Sequence, residues 1–372
     1  MGKWQEMTKE VRGSWSSRGW GRLNIGVNWG RRVSRSNFVL VTLCPAILRT
    51  QRSSPGGPHL GTAQELEMQY SPSQWSHRLD EGAVVEAHVR ELTEGTRTAQ
   101  ATLRTLLHVP YGGGDGEKLD IYLPTDPSSA FPLLLYIHGG YWQFLRTCLA
   151  LQRPLWWHRA SQWWRLAMTW LRKVRGARAG AAPPRCRGPS SPCALCPGHM
   201  DEMVAQVRRS VAFIAQQHPQ LSGVYLCGHS AGAHLAAMVL STNWEEYGVT
   251  PDIRGAFLVS GVYDLEPITH TYVNNLLHMS REVARRNSPI LCVAAVEPAR
   301  EACEVLIVVA QHDSLEFHRQ SQEYFQALCS AGWRVSLLDV ADMDHFDVIE
   351  KLSQESYILT RMVLNMITRA GI

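Results

Sequence analysis

The chain has 372 residues, a mass of 41.8 kDa, 45% hydrophobic residues, 19% charged residues and a formal net charge of +4 at neutral pH. This length allows one large α/β domain or two ordinary domains, and the composition is typical of a globular, soluble protein. So small a net charge argues against nucleic-acid binding by the chain as a whole.

The basic residues are concentrated in two segments. Residues 1–62 contain ten Lys or Arg and two acids, and residues 144–199 contain ten Lys or Arg and no acid. The same two segments carry nine of the 13 Trp. The rest of the chain is acidic on balance. We therefore expect a folded domain over 63–372 that is interrupted by 144–199, preceded by a disordered extension over 1–62.

The sequence indicates a cytosolic protein. Acidic residues occur early, and the best N-terminal apolar run, FVLVTLCPAIL, contains a proline and is shorter than the about 20 residues needed to cross a bilayer. The nine Cys are odd in number and show no pairing pattern. In a chain without an export signal they are expected to be reduced thiols.

The order of the predicted elements indicates an α/β fold. A short helix stopped by Pro72 and a longer helix in EGAVVEAHVRELTEGTRTAQATLR come first, followed by two strands, TLLHVPYG and EKLDIYLP, that a glycine-rich turn joins into a hairpin. The continuous apolar run FPLLLYIHGG fits a strand buried on both faces. From about Met200 strands and helices alternate, which predicts a mostly parallel sheet with helices on both faces. Reactive groups collect at the carboxyl ends of such strands.

The stretch Gly228-His-Ser-Ala-Gly232 indicates a nucleophilic serine. It follows the apolar strand VYLC and precedes the helix-forming run AHLAAMVL. In this strand–turn–helix context the glycines allow a sharp turn that projects the hydroxyl of Ser230 from the sheet. The alternative is a serine that merely occupies a tight turn. A serine hydroxyl needs a base, an orienting acid and an oxyanion site to react.

Asp313 and His345 are the predicted acid and base. Asp313 in QHDS follows one predicted strand and His345 in DMDHF follows the next, which gives the chain order Ser, Asp, His expected of this fold. Asp313 could instead cap the following helix. The competing acids are Asp264, Asp342, Asp344 and Asp347. Four other histidines are interpreted as surface or structural residues: His229, His234, His312 and His318.

The stretch HGGYW after the FPLLLYI strand is the predicted oxyanion loop. Backbone N–H groups of Gly139 and Gly140, with that of Ala231, would face the negative charge that develops on the substrate. We interpret Trp142 as a wall of the pocket, with a place in the core as the alternative.

With these motifs the sequence resembles the kynurenine formamidase (arylformamidase) family, whose members are esterase/lipase-like α/β-hydrolases. The resemblance covers about 63–143 and 200–372, and it is carried by LLHVPYG, EKLDIYLP, HGGYWQ, GVYLCGHSAGAHLAAM, VSGVYDLEPI, DSLEFHRQS and DHFDVIE. It implies hydrolysis of N-formyl-L-kynurenine to L-kynurenine and formate, no metal or cofactor, and a homodimer in the cytosol and also the nucleus. We also expect no nucleic-acid partner and no stable membrane association. The family's triad maps onto Ser230, Asp313 and His345, and its H-G-G-x-W box maps onto His138, Gly139, Gly140, Tyr141 and Trp142.

Residues 144–199 depart from the family pattern. No stretch there alternates or is rich enough in β-formers to be chosen as a strand, so we expect a core strand to be missing. We interpret this segment and 1–62 as translated non-coding sequence, such as a retained intron or an alternative exon. For the whole protein, the alternatives to a kynurenine formamidase are a general carboxylesterase and a catalytically inactive variant. For residues 144–199, the alternative functions are a membrane-surface helix, a nucleic-acid patch, and a zinc site formed by Cys186, Cys193, Cys196 and His199.

Overall fold

A parallel sheet with antiparallel edges organises the described part of the chain. The computed structural model describes residues 40–41, 62–114, 116–123, 131–143, 167–172, 200–219, 221–293 and 303–369, and for 40–41 and 167–172 it describes the backbone alone. All of these residues belong to one unit, Phe38–Ile372. The strands are β1 (Leu40–Val41), β2 (Arg104–Pro110), β3 (Lys118–Leu123), β4 (Phe131–Ile137), β5 (Ala167–Arg172), β6 (Leu221–His229), β7 (Ile253–Val259), β8 (Glu304–Ala310) and β9 (Arg334–Val340).

The order of these strands across the sheet is β1-β9-β8-β7-β6-β4-β5-β3-β2. The six strands from β9 to β5 run parallel to one another. At one edge β3 pairs antiparallel with β5 and β2 pairs antiparallel with β3, and at the other edge β1 pairs antiparallel with β9. The predicted mostly parallel sheet and the predicted β2–β3 hairpin are therefore confirmed.

Helices lie in the connections between the strands, as the alternating sequence predicts. The short helix before Pro72 and the long helix after it are both present. The helices are α1 (Ala63–Gln69), α2 (Glu81–Thr102), α3 (Met200–Gln217), α4 (Ala231–Leu240), α5 (Asn274–Leu277), α6 (Arg281–Arg286), α7 (Pro289–Cys292), α8 (Leu315–Ser330), α9 (Asp347–Glu350) and α10 (Ile358–Arg369).

The apolar core lies on both faces of the sheet, and β4 shows why. Its side chains alternate, so that Leu133, Leu135 and Ile137 join one buried cluster while Leu134 and Tyr136 join the other. A strand covered on both faces needs apolar residues at successive positions, which explains the continuous run. All ten residues of α4 are buried as well, so this helix is enclosed by the core at the centre of the fold.

A strand within 144–199 takes the position that we expected to be empty. β5 lies between β4 and β3, with Thr169 opposite Leu135 on one side and Ile121 on the other. The expectation that no segment of 144–199 forms a strand was wrong. The reason is that pairing with two neighbouring strands outweighs the weak intrinsic β-preference of the sequence AMTWLR.

Several interpretations of the two basic segments fall outside the described residues. The proposed zinc ligands and the nucleic-acid patch lie there, as do most of the proposed membrane-surface helix and most of 1–62. None of the helices in the described part of the chain has the length and apolar character needed to cross a membrane. Within the same residues no three His, Cys, Asp or Glu side chains are grouped so that they could hold a metal ion.

We predict that β5 contributes to stability through its backbone. The substitution Thr169→Pro removes a ladder N–H in the interior of the sheet, and we expect it to lower the free energy of unfolding by about 2 kcal/mol or more. The matched control Thr169→Val keeps the N–H and the β-branched shape, so its effect should stay below about 1 kcal/mol. Urea denaturation measures both variants. Equal stability of the two variants would show that β5 is not paired in solution.

Candidate active site

Ser230 occupies a strained turn between β6 and α4. Its φ of 56° and ψ of −122° lie in a region that non-glycine residues rarely adopt. The Ser230 N–H donates to the carbonyl of Val259 at 2.8 Å, which ties the turn to the end of β7. The side chain stands at the N-terminus of the buried helix α4. This is the strand–turn–helix arrangement that the sequence predicts.

The glycines on either side of Ser230 are required by close backbone contacts. A Cβ on Gly232 would collide with the carbonyl oxygen of Ile137 and would lie 2.6 Å from that of His138. A Cβ on Gly228 would collide with the carbonyl oxygen of Gly232. The turn therefore packs directly against the carboxyl end of β4, where the predicted oxyanion loop begins.

Asp313 and His345 form a buried hydrogen-bonded pair. Nδ1–H of His345 donates to Oδ1 of Asp313 at 2.6 Å, and the two side chains are 3% and 0% exposed. The second oxygen, Oδ2, accepts the hydroxyl of Ser260 at 2.6 Å and the N–H of Ala310 at 2.9 Å. Burial raises the pKa of Asp313, but His345 and these two donors outweigh burial and bring the pKa below its usual value. The carboxylate is thus ionised and directed at the imidazole.

The ring and the backbone of His345 are held from other sides as well. The ring meets Phe317 edge to face, with centroids 5.0 Å apart and an interplanar angle of 72°. Nε2–H of His229, the residue before Ser230, donates to the carbonyl of His345 at 2.7 Å. Since Asp313 occupies Nδ1, Nε2 is the nitrogen of His345 that remains for proton transfer.

Three consecutive residues of the H-G-G-Y-W stretch have left-handed backbone conformations. The φ angles of Gly140, Tyr141 and Trp142 are 96°, 46° and 59°. Two side chains anchor this unusual loop. The Tyr141 hydroxyl donates to the carbonyl of Tyr70 at 2.8 Å, and the Trp142 indole N–H donates to Nδ1 of His234 at 3.2 Å. These bonds stabilise a conformation that costs backbone strain.

Gly139 is the residue of this loop that approaches Ser230. A Cβ at position 139 would lie 3.0 Å from the Ser230 Cβ and 3.0 Å from the carbonyl oxygen of His229. The predicted oxyanion loop therefore lies close beside the predicted nucleophile, and a side chain at position 139 would force its neighbours to give way. Ala231 is the first residue of α4, so its N–H is among the free donors of that helix terminus.

His234 holds the loop as a neutral imidazole. Its Nε2–H donates to the carbonyl of Asn287 at 2.7 Å, which leaves Nδ1 to accept the Trp142 indole N–H. Burial lowers the pKa of His234 to about 4, although the carbonyl of Asn287 acts in the opposite direction. A protonated ring could not accept from Trp142, so the low pKa preserves this bond at neutral pH.

Comparisons with known proteins agree with this geometry. Residues 189–348 match a family with the alpha/beta hydrolase fold. The chain is 48% identical over 306 residues to the kynurenine formamidase of Danio rerio, an alignment that covers 82% of this chain and 97% of the relative. It is also 48% identical over 307 residues to the kynurenine formamidase of Salmo salar, with the same coverage of both chains. The chain belongs to the kynurenine formamidase family.

Solved structures show the same fold. A protein from Silicibacter sp. TM1040, described as a candidate thioesterase, matches with a TM-score of 0.59 and 23% identity over 81% of this chain and 99% of that chain. At this identity the likeness shows the α/β-hydrolase fold and nothing about the reaction. The fold predicted from the sequence is therefore confirmed for this member of the kynurenine formamidase family.

The structure bears on three interpretations made from the sequence. Ser314, not Asp313, accepts the N–H of Phe317 and so caps α8. His229 and His234 form the hydrogen bonds expected of structural residues. Trp142 is only 7% exposed, belongs to the main apolar cluster and packs against the buried His234 ring, which gives it a place in the core. Its role as a wall of the pocket stays a prediction.

Sequence reasoning missed Ser260, which binds the carboxylate of Asp313. Ser260 is fully buried, has a φ of 47°, and follows β7 directly. Its place at the carboxyl end of a predicted strand, in VSGVYD, was the available signal. No spacing rule links this serine to an aspartate 53 residues later in the chain, so the contact emerges only from the fold.

We predict that His234 makes stability depend on pH. The folded-state pKa is depressed to about 4, whereas an unfolded histidine titrates near about 6.5, so the unfolded chain takes up a proton first as pH falls. Its contribution is complete above the unfolded pKa and declines towards the folded one. The stability advantage of the wild type over His234→Gln should therefore shrink by about 2 kcal/mol between pH 7 and pH 5. Urea denaturation at both pH values tests this, and a constant difference would contradict it.

Proposed function

We propose that the chain hydrolyses N-formyl-L-kynurenine to L-kynurenine and formate, with Ser230 as nucleophile, His345 as general base and acid, and Asp313 as orienting acid. The observation that carries the proposal is the buried 2.6 Å hydrogen bond between Asp313 and His345, on loops that also hold the Ser230 turn through His229. The relatives named kynurenine formamidase support the choice of substrate.

In the first half of the reaction, Ser230 Oγ attacks the formyl carbon while Nε2 of His345 accepts its proton. The carbonyl π electrons move to oxygen, and the N–H groups of Gly139, Gly140 and Ala231 stabilise the resulting oxyanion. When the oxyanion collapses, the C–N bond breaks. The proton on Nε2 passes to the departing aryl amine, and a formyl ester of Ser230 remains.

In the second half, water attacks the formyl ester. Nε2 of His345 takes a proton from the water, and the tetrahedral intermediate forms in the same oxyanion site. Collapse returns the proton to Ser230 Oγ and releases formate. The ionised Asp313 stabilises the imidazolium formed in each half without accepting its proton.

The close approach of Gly139 to Ser230 supports a small acyl group. A Cβ at position 139 would already lie 3.0 Å from the Ser230 Cβ, so the loop leaves little space beside the nucleophile. A formyl group has one carbon and a hydrogen in place of a chain. Specificity must then come mainly from contacts with the aromatic leaving group.

The family resemblance extends the proposal to the whole protein. On that basis we expect a homodimer in the cytosol and the nucleus that needs no metal or cofactor. A general carboxylesterase with the same site is the runner-up, and a catalytically inactive variant is the other alternative. The inactive variant was considered because a core strand was expected to be missing, and β5 occupies that position in the sheet.

We predict that Ser230→Ala abolishes kynurenine release. Loss of the nucleophile should lower kcat by more than about 10⁴-fold, because no acyl-enzyme forms. Ser330→Ala, at an exposed position at the end of α8, serves as the control and should be fully active. Absorbance of kynurenine measures turnover, and a short-chain aryl ester is assayed in parallel. Turnover of the ester alone would favour the carboxylesterase, and wild-type rates equal to those of Ser230→Ala on both substrates would mark an inactive variant.

We predict that Gly139→Ala impairs the oxyanion site without unfolding the protein. The added methyl group would press on Ser230 and His229 and shift the loop, so kcat should fall by about 10- to 100-fold. Gly82→Ala is the matched control, because a Cβ there meets nothing within 4 Å. Because position 82 lies in α2 and alanine has a higher helix propensity than glycine, this control should leave kcat unchanged and raise the free energy of unfolding by up to about 1 kcal/mol. Near-normal kcat in Gly139→Ala would contradict the role of this loop.

A further inference from the structure

We propose that Arg78 is a positioning residue that holds the loop of His345 in its reactive place by binding the carboxylate of Asp344. This inference rests on the proposed function, since it concerns the base of that reaction. Arg78 precedes His345 by 267 residues in the sequence and lies just before α2, on a segment outside the sheet.

The contact between Arg78 and Asp344 is bidentate and largely shielded from water. Nε of Arg78 donates to Oδ2 of Asp344 at 2.8 Å, and Nη2 donates to Oδ1 at 3.2 Å. The Asp344 side chain is 0% exposed and that of Arg78 is 28% exposed. A paired fork of this kind fixes orientation as well as distance, which a lysine cannot do.

One of these two carboxylate oxygens of Asp344 also binds the backbone that follows His345. Oδ1 accepts the N–H groups of Phe346 and Asp347, each at 2.9 Å. Oδ2 also accepts the hydroxyl of Ser76 at 2.7 Å. Although burial opposes ionisation, Arg78 and these donors hold the pKa of Asp344 well below its usual range. The carboxylate therefore caps the turn that carries the catalytic base.

Arg78 also reaches the acids that follow the turn. Nη1 donates to Glu350 at 3.2 Å, and Nε lies 3.8 Å from Asp347. Glu350 in turn accepts from Nδ1–H of the buried His88 at 2.8 Å. One guanidinium thus joins three carboxylates on the segment 344–350. Lys351 also donates to Oδ2 of Asp347 at 2.9 Å. Without Arg78, however, Asp344 and Glu350 lose a cationic partner beside His345, and the turn has reason to shift.

The consequence is specific to the chemical step. Movement of the His345 turn alters the distance between Nε2 and Ser230, and a displacement of about 1 Å at reacting groups can cost about 100-fold in rate. Binding of substrate does not depend on this distance. Removal of Arg78 should therefore lower kcat and leave KM nearly unchanged.

The test uses the full-length protein with Arg78→Ala, Arg78→Lys and the control Arg97→Ala, whose side chain is 72% exposed in a surface pair. Kynurenine release gives kcat and KM. The rate at which a fluorophosphonate labels Ser230 reports the activated nucleophile without the proposed substrate. Millimolar guanidinium, compared with equal NaCl, should enter the space vacated in Arg78→Ala, since part of that side chain faces solvent.

We expect Arg78→Ala to lower kcat and the labelling rate by about 10- to 100-fold, with KM within about three-fold of wild type. Arg78→Lys should keep part of the activity, and guanidinium should restore Arg78→Ala several-fold without affecting Arg97→Ala. Folding is checked by circular dichroism. A folded Arg78→Ala with kcat within two-fold of wild type would overturn the proposal, as would a loss that neither lysine nor guanidinium relieves.

Two further outcomes are separated by the design. If Arg78→Ala does not fold, the folded variants Arg78→Lys and Ser76→Ala test the proposal in its place. A lower kcat in these variants supports a positioning role for Arg78, and an unchanged kcat refutes it. If wild type releases no kynurenine but its labelling still depends on Arg78, the proposed substrate is wrong while the role of Arg78 stands.

Discussion

The candidate site depends on how closely two backbone segments approach one another. A Cβ at Gly232 would collide with the carbonyl oxygens of Ile137 and His138, and a Cβ at Gly139 would lie 3.0 Å from that of Ser230. A side chain at either position would therefore disturb the packing of the predicted oxyanion loop against the turn of Ser230. The two loops therefore act as one unit, and the strain recorded in the positive φ angles of Tyr141, Trp142 and Ser230 is the cost of this proximity. Anchors on both sides, from Val259 and Tyr141, make that cost tolerable.

Buried charge is the second constraint, because each ionised group near the site is satisfied by more than one donor. Asp313 accepts from His345, Ser260 and Ala310, so its charge persists without water. Asp344, the residue before His345, accepts hydrogen bonds from a different set of donors, which includes Arg78. Neutral histidines fill the remaining space, and burial keeps the pKa of both His229 and His234 low. The hydrogen-bonded Asp313–His345 pair thus stands at the centre of the site, surrounded by histidines that do not compete for its proton.

The sequence was informative wherever chemistry depends on local spacing. The turn around Ser230 and the H-G-G-Y-W stretch can be recognised from residues adjacent in the chain. The apolar run before each of them predicts that it lies at the end of a strand. Contacts between distant residues were not accessible in this way. Ser260 and Arg78 are ordinary residues in sequence, and only the fold brings them to Asp313 and Asp344. The prediction that residues 144–199 contain no strand was wrong for a different reason. β5 forms because it pairs with two neighbouring strands, not because its own residues have a strong β-propensity.

The end of α1 and the segment that follows it join parts of the site that the sheet alone would leave independent. The carbonyl of Tyr70 accepts the hydroxyl of Tyr141 in the oxyanion loop, and the carbonyl of Gln69 accepts the hydroxyl of Ser314, next to Asp313. Arg78, farther along, binds Asp344 beside the base. Each loop of the proposed triad enters the site from a different strand end, and a strand end fixes position but not the path of the loop beyond it. A shared support outside the sheet supplies that missing restraint, which explains why residues so far from the nucleophile in sequence are buried against its partners.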